Sequence, residues 1–450
     1  MPSQYDVIII GSGPAGGAAA SRLAAQHLRV ALIERELVGG ECAYWACVPS
    51  KTLLRPTAAR AEAGRVAGLD RPRQDWARVA AYRDYMIRYL DDTTQIEDYR
   101  DEGVEVYKGD GRITGPREVQ VGDRALSTER IIIATGSDPA IPPIDGLAEA
   151  GYWTNRQATT LKQLPESIVV LGGGPVGVEL GQFLARFDVK VALVQGEDRL
   201  IPREEPAVGE LVAAALEADG IDLHLAAKAE SVTRREGVCH VKLSTGRELQ
   251  GAELLVATGR RARVHDIGLE SVGIEPSARG VEVDERCRAA DGVWAIGDVT
   301  GVMQFTHVGM YQGRIAAQDI AGEDVRASYH AIPRVVFSDP EIAAVGMTAA
   351  QAREKGIELA SSRIRLREAI TRPWTYEQDP RGELGLLADR QRQVLVGAWA
   401  VAPLAGEWIH QAALAIKTEV PLAVLRDTVA QFPTFSEAYL KGVEALEPAQ

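Results

Sequence analysis

Tyr5-Asp6-Val7-Ile8-Ile9-Ile10-Gly11-Ser12-Gly13-Pro14-Ala15-Gly16 begins as a short apolar run and breaks on three glycines. The run reads as a buried parallel strand, because a strand covered on both faces is continuously hydrophobic. An Ala-rich helical stretch follows to Ala25, and Arg29 to Ile33 reads as a second strand ending at Glu34. The glycines permit a tight turn and let a pyrophosphate approach the helix N-terminus. Glu34 stands where a carboxylate accepts from ribose hydroxyls. An isolated Gly-x-Gly-x-x-Gly is weak evidence; with strand, helix, strand and acid in order, it outweighs a mere glycine-rich turn.

The pattern occurs twice. Ser167 to Leu171 is again an apolar strand, followed by Gly172-Gly173-Gly174-Pro175-Val176-Gly177 and an answering strand, Lys190 to Val194, that ends at Gln195. Ile131 to Gly136, which closes on Ala134-Thr135-Gly136, is echoed by Leu254-Leu255-Val256-Ala257-Thr258-Gly259. Two such folds imply two dinucleotides, or one electron donor and one acceptor. The expected class is α/β, with two Rossmann-like dinucleotide-binding domains.

Between them lies Gly39-Gly40-Glu41-Cys42-Ala43-Tyr44-Trp45-Ala46-Cys47-Val48-Pro49-Ser50-Lys51. A disulfide needs its Cα atoms within roughly 4.4–6.8 Å. Extended chain holds Cys42 and Cys47 too far apart, but a helix opened by Cys42 brings Cys47 back after little more than a turn. A helix N-terminus also stabilises a thiolate. The spacing suits a bridge that opens and closes; a plain disulfide or two buried thiols is the competing reading.

The bulk composition sets limits. The 450 residues, 46% hydrophobic and 25% charged, allow two or three domains. A net charge of −13 argues against nucleic acid or an anionic membrane as partner. Four cysteines are too few for a disulfide-stapled secreted protein. No basic-then-apolar leader precedes Tyr5 and no apolar stretch is long enough to span a bilayer, so a cytoplasmic enzyme is expected. No metal site is read.

Further along, Thr52 to Ala67 and Trp76 to Glu102 read as helices, Val104 to Gly109 as a strand, and Pro139, Pro142 and Pro143 as an extended linker. Val293 to Ile296 is a strand ending in Gly297-Asp298, and Phe305-Thr306-His307-Val308 leads into a helix through Ala321. From Pro333 the character changes: strand-like runs (Arg334 to Phe337, Gly385 to Asp389, Val394 to Val401) alternate with helices near 348–355 and 406–418. The C-terminal region carries Gln431-Phe432-Pro433-Thr434-Phe435-Ser436-Glu437.

Taken together, these motifs resemble the FAD-dependent pyridine nucleotide–disulfide oxidoreductases, the family of glutathione reductase, dihydrolipoamide dehydrogenase and mercuric reductase. The resemblance implies that 1–150 and 271–332 form an FAD-binding domain, 151–270 an NAD(P)-binding domain and 333–450 an α+β dimerisation domain. It implies that Gly11, Gly13, Pro14, Ala15, Gly16, Glu34 and Arg35 hold FAD. Gly40, Glu41, Ala134, Thr135, Gly136, Gly297 and Asp298 are further cofactor positions, as are Phe305, Thr306 and His307 at the flavin edge. Gly172, Gly174, Val176, Gly177, Gln195 and Gly259 fall to the nicotinamide cofactor, NADH or NADPH. Lys51 would sit beside the flavin and pair with Glu179. Cys47 would be the sulfur nearer the flavin, and Cys42 the thiolate that attacks a small-molecule disulfide. A homodimer would complete each site with the partner's C-terminal segment. Cys239 and Cys287 are read as ordinary buried thiols.

The chain departs from that family at Phe432, where its disulfide reductases carry a histidine oriented by the acid five positions on, here Glu437. Phenylalanine carries no transferable proton, and a positioned acid–base group is worth about 10²–10⁴ in rate. One way out is a substrate whose leaving thiolate departs unaided; another is a proton from Tyr44 or His307, both of which also read as packing residues. At the nicotinamide site Gln195 replaces the acid, with Arg199, Arg260, Arg261 and Arg263 as candidates for a 2′-phosphate. Reduction of quinones or metal ions, reductive carbon–sulfur cleavage, and a redox sensor or complex subunit are the alternatives. Mercuric reduction is disfavoured because no cysteine follows Cys287.

Overall fold

Every residue is buried in the strands Val7–Ile10, Val30–Glu34 and Ile131–Ile133. Such strands need cover on both faces. They sit inside a six-stranded sheet ordered Arg288–Ala290, Val293–Ala295, Ile131–Ile133, Val7–Ile10, Val30–Glu34, Val104–Lys108, parallel except for its first strand. Alternation divides the side chains. Ile8 and Ile10 pack under an antiparallel meander through Ile113, Val119 and Leu126, while Val7 and Ile9 meet the helices Pro14–Ala24 and Thr306–Ile320. Gly309 and Gly313 let the second helix close on the first: a Cβ on Gly313 would stand 2.6 Å from the carbonyl oxygen of Ala15.

The computed structural model describes residues 4–448. Its contacts divide the chain into two units. One takes residues up to Pro49, Ala81–Ala140 and Gly259–Ser328; the other takes Ser50–Ala80, Ile141–Thr258 and the chain from Tyr329. Residues 50–80, read from the sequence with the first domain, group with the second unit.

The second unit repeats the first plan in a four-stranded parallel sheet, ordered Asp222–His224, Lys190–Val194, Ser167–Leu171, Glu253–Val256. A meander of Ala229–Arg235, Val238–Leu243 and Glu248–Gly251 accompanies it, and the helix Pro175–Ala185 packs on it. The same unit holds a six-stranded antiparallel sheet running from Pro333–Val336 to Glu447–Pro448, with His410–Lys417 and Glu437–Glu444 packed on it. This is the α+β segment expected after residue 333.

Two local readings are corrected. The helix expected over 76–102 is broken into Trp76–Met86 and Thr93–Asp101. Arg88, Tyr89 and Leu90 between them adopt left-handed backbone, at φ of 53, 54 and 61°, which a right-handed helix excludes. Asp91 then accepts from the N–H and hydroxyl of Thr93 and restarts the chain as helix. The cysteines, expected on one helical turn, occupy two helices: Gly40–Tyr44 carries Cys42, and Cys47 opens the 17-residue helix Cys47–Ala63. Trp45, at φ −134° and ψ −4°, makes the break. Pro49 is tolerated so early because first-turn N–H groups lack helical acceptors.

Candidate active site

The two glycine cradles match contact for contact. In the first unit Gly11 has φ 105°, and a Cβ there would stand 2.3 Å from the oxygen of Ala134; one on Gly16 would stand 1.9 Å from the oxygen of Gly11. In the second unit Gly172, at φ 112°, meets the oxygen of Ala257 at 2.4 Å, and Gly177 meets the oxygen of Gly172 at 1.9 Å. The Ala-Thr-Gly runs recur because each supplies the strand end against which its glycine turn is pressed. A Cβ on the middle glycine, Gly13 or Gly174, would meet no atom within 4 Å. Each cradle is therefore closed by its outer glycines and open at its centre, in front of a helix N-terminus, as a pyrophosphate requires.

Glu34 is buried and braces the first cradle: Oε2 accepts from the N–H and hydroxyl of Ser12, and Oε1 from the N–H of Glu36. Gln195 repeats the brace, its Oε1 accepting from the N–H of Gly173 at 3.0 Å. Asp298 accepts from the Ser137 hydroxyl at 2.5 Å, and Gly297 donates to Gln312. Arg260 donates to Ser137 and Arg263 to Asp138, while the Thr135 hydroxyl donates to the carbonyl oxygen of Arg263. Those two arginines therefore lie in the first unit, with acceptors of their own. Arg199 sits beside Gln195, whose amide donates to its carbonyl, and its own guanidinium donates to the oxygen of Pro202. Arg35 and Arg261 are exposed, and Val176 is half-buried.

Left-handed Gly39 and Gly40 deliver the helix Gly40–Tyr44 to the first cradle; a Cβ on Gly40 would stand 2.7 Å from the Cα of Gly13. Cys42 and Cys47 are both half-buried free thiols. The Thr306 hydroxyl, at the first position of the helix Thr306–Ile320, donates to Cys42 Sγ at 3.1 Å and lies 3.4 Å from Cys47 Sγ. The bond to Cys47, and burial, push the Cys42 thiol well above the usual thiol range, and the Thr306 hydroxyl opposes that shift. Cys47 opens the helix Cys47–Ala63, whose first N–H groups favour negative charge nearby. Sequence reasoning placed Thr306 by its helix and missed its hydroxyl; a β-branched donor at the first helical position was the signal.

Tyr44 is buried. Its hydroxyl donates to the oxygen of Val38 and to Gln95, and burial pushes its pKa up to about 12. These bonds brace the cysteine helix. His307 is exposed, its ring stacked on Phe305 at 5.2 Å, and Glu41 is half-buried.

In the second unit Lys51 Nζ donates to Glu179 Oε2 at 2.7 Å and stands 4.8 Å over the Phe337 ring. Glu179 is buried, and its other oxygen accepts from the N–H of Phe337. Both oxygens of this carboxylate are thus satisfied, one of them by charge. At the C-terminal segment Phe432 is 69% exposed, and Glu437 Oε2 is buried with no hydrogen-bond partner among the described residues. Cys239 and Cys287 are fully buried, apart from the cysteine pair.

Comparison with known proteins gives the same assignment over most of the chain. The pyridine nucleotide-disulphide oxidoreductase model matches residues 5–313, and the dimerisation-domain model of that family matches residues 332–442. A mercuric reductase of Bacillus cereus is 33% identical over 443 residues, 96% of this chain and 70% of that protein. A dihydrolipoyl dehydrogenase of Thermus scotoductus is 32% identical over 455 residues, 98% and 97% of the two chains. Among solved structures, the HOCl-induced flavoprotein disulfide reductase RclA of Escherichia coli superposes at a TM-score of 0.87 with 29% identity, covering 98% of this chain and 99% of that one. RclA is also known as a Cu(II) complex, with the same TM-score and coverage. No described helix is long and apolar enough to cross a membrane, and the dimerisation-domain match supports a homodimer. The chain belongs to the pyridine nucleotide-disulphide oxidoreductases, flavoprotein oxidoreductases that act on sulfur with FAD and NAD(P)H as cofactors.

Proposed function

We propose that this chain is an NAD(P)H:disulfide oxidoreductase that works through Cys42 and Cys47 on a small disulfide with a good leaving thiolate. Gly11, Gly13, Gly16, Glu34 and Asp298 would hold FAD; Gly172, Gly174, Gly177 and Gln195 would hold the nicotinamide cofactor. FAD, when bound, supplies the two-electron carrier between NAD(P)H and sulfur. The sulfur steps belong to the chain. The Cys42 thiolate attacks one substrate sulfur, a Cys42–substrate bond forms, and the first thiolate leaves. Cys47 then attacks the Cys42 sulfur, the mixed bond breaks, and the second thiolate leaves as the Cys42–Cys47 bridge closes. Two electrons from NAD(P)H reopen it.

The observation that carries the substrate class is the C-terminal pair: an exposed aromatic ring at 432 and a buried Glu437 oxygen without a partner among the described residues. With no imidazole to protonate the departing sulfur, its own acidity sets the rate. An aryl or heteroaryl disulfide meets that demand; oxidised glutathione does not. NAD(P)H consumption is expected to be on the order of 10²-fold faster with an aryl disulfide than with oxidised glutathione. Equal rates refute the reading.

Gln195 braces its cradle as Glu34 does, but without charge. A neutral amide does not repel a 2′-phosphate. The kcat/KM for NADPH is therefore expected to exceed that for NADH by about tenfold; the reverse order overturns this assignment. The domain limits read from the sequence, a cytoplasmic location, and a homodimer covering the exposed Leu414, Val424 and Val429 complete the proposal.

A second reading, metal-ion reduction, is supported by the mercuric reductase relatives and by the Cu(II) complex of RclA. A dithiol is a soft-metal donor set.

A further inference from the structure

We propose that Thr306 is a catalytic residue of the sulfur exchange: its hydroxyl donates to whichever sulfur carries the negative charge, and so stabilises the Cys42 thiolate in a chain with no histidine at 432. The inference rests on the disulfide reading above and assigns one of its residues.

The geometry is specific. The Oγ1 atom lies 3.1 Å from Cys42 Sγ and 3.4 Å from Cys47 Sγ, so one hydroxyl reaches both reacting atoms. A hydroxyl has a single proton to donate and can turn it without moving its oxygen. The oxygen itself is held. Threonine is stiff at χ1, and its helix is locked against Pro14–Ala24 where Gly309 and Gly313 touch Ala15. The residue also opens a 15-residue helix, whose first N–H groups favour negative charge nearby.

During exchange the charge moves from Cys42 to the leaving sulfur, then from Cys47 to the second leaving sulfur. A donor within reach of both cysteines follows it without rearranging the fold. Threonine does not ionise near neutral pH, so it stabilises a thiolate and delivers no net proton. The protonation of the departing thiol is left to solvent, which is why the substrate's own acidity matters. Among the described residues, Cys47 from the helix Cys47–Ala63 and Thr306 from its own helix bond to Cys42, with Glu41 and His307 the ionisable side chains next in sequence to these contacts.

The test uses the FAD-loaded, reduced enzyme, with bound flavin per protomer measured first to establish folding. Alkylation of Cys42 by iodoacetamide is followed by mass spectrometry from about pH 6 to pH 9 in wild type, Thr306→Val and Thr306→Ser. Thr306→Val is expected to slow Cys42 alkylation at neutral pH about tenfold and to move its pH profile up by about one unit, as the loss of one charge-assisted hydrogen bond predicts. Thr306→Ser restores most of the rate, and kcat for an aryl disulfide falls and recovers in the same order at nearly constant KM. Wild-type alkylation in Thr306→Val, or equal slowing in Thr306→Val and Thr306→Ser, overturns the proposal. Should Thr306→Val lose its flavin, Thr306→Ala against Thr306→Ser decides on the same criteria. Failure of the underlying reading looks different: Cys42→Ser would then keep its disulfide reductase activity whatever stands at 306.

Discussion

Cys42→Ser is expected to lower NAD(P)H-dependent reduction of an aryl disulfide by on the order of 10³-fold or more, as removal of a nucleophile does. Serine keeps the size of the side chain and its bond to Thr306, and loses the thiolate. Its hydroxyl does not ionise near neutral pH, so no mixed disulfide forms and Cys47 has nothing to resolve. The cradle is untouched, because Gly40, not Cys42, makes the close approach to Gly13. Flavin content and direct electron transfer to a quinone are therefore expected to stay within about twofold of wild type. This split separates the two enzyme readings in one variant. If Cys42→Ser still reduces disulfides, the cysteine pair is not the route to sulfur; if it loses quinone transfer as well, the substitution has damaged the flavin site.

The sequence was legible wherever local physics decides the structure. Ile8 to Ile10 and Ile168 to Leu171 read as buried strands because nothing polar interrupts them, and they lie inside their sheets with a neighbour on each side. The glycine turns were legible because positive φ and a missing Cβ leave no other residue suited to Gly11 or Gly172. Where the outcome depends on groups distant in sequence, spacing said little. Nothing in Arg88-Tyr89-Leu90 announces three left-handed residues. The kink at Trp45, which puts Cys42 and Cys47 on separate helices, is likewise invisible to helical periodicity. The contact of Thr306 with both sulfurs joins residues 264 and 259 positions apart. The pairing of Lys51 with Glu179 spans 128 positions and entered the reading through the family resemblance, not through the residues alone.

Phe432→His is expected to raise turnover of oxidised glutathione on the order of 10²-fold, the low end of what a positioned acid–base group contributes. The argument starts at Glu437, whose buried Oε2 has no donor among the described residues. A buried acceptor without a partner costs about 1–3 kcal/mol, and an imidazole N–H is the donor whose place in the family lies five positions before it. An imidazole held in that way presents its other nitrogen outward, and position 432 is open to receive a substrate. The restored group can return a proton to a departing alkyl thiolate, the step an aryl thiolate does not need. The gain should therefore be large for glutathione and within about threefold for an aryl disulfide. Adding Glu437→Gln to Phe432→His removes the carboxylate that orients the ring and should cancel most of the gain, while Glu437→Gln alone should leave aryl disulfide turnover nearly unchanged. Equal gains on both substrates would mean that position 432 limits the enzyme by its bulk rather than by its chemistry.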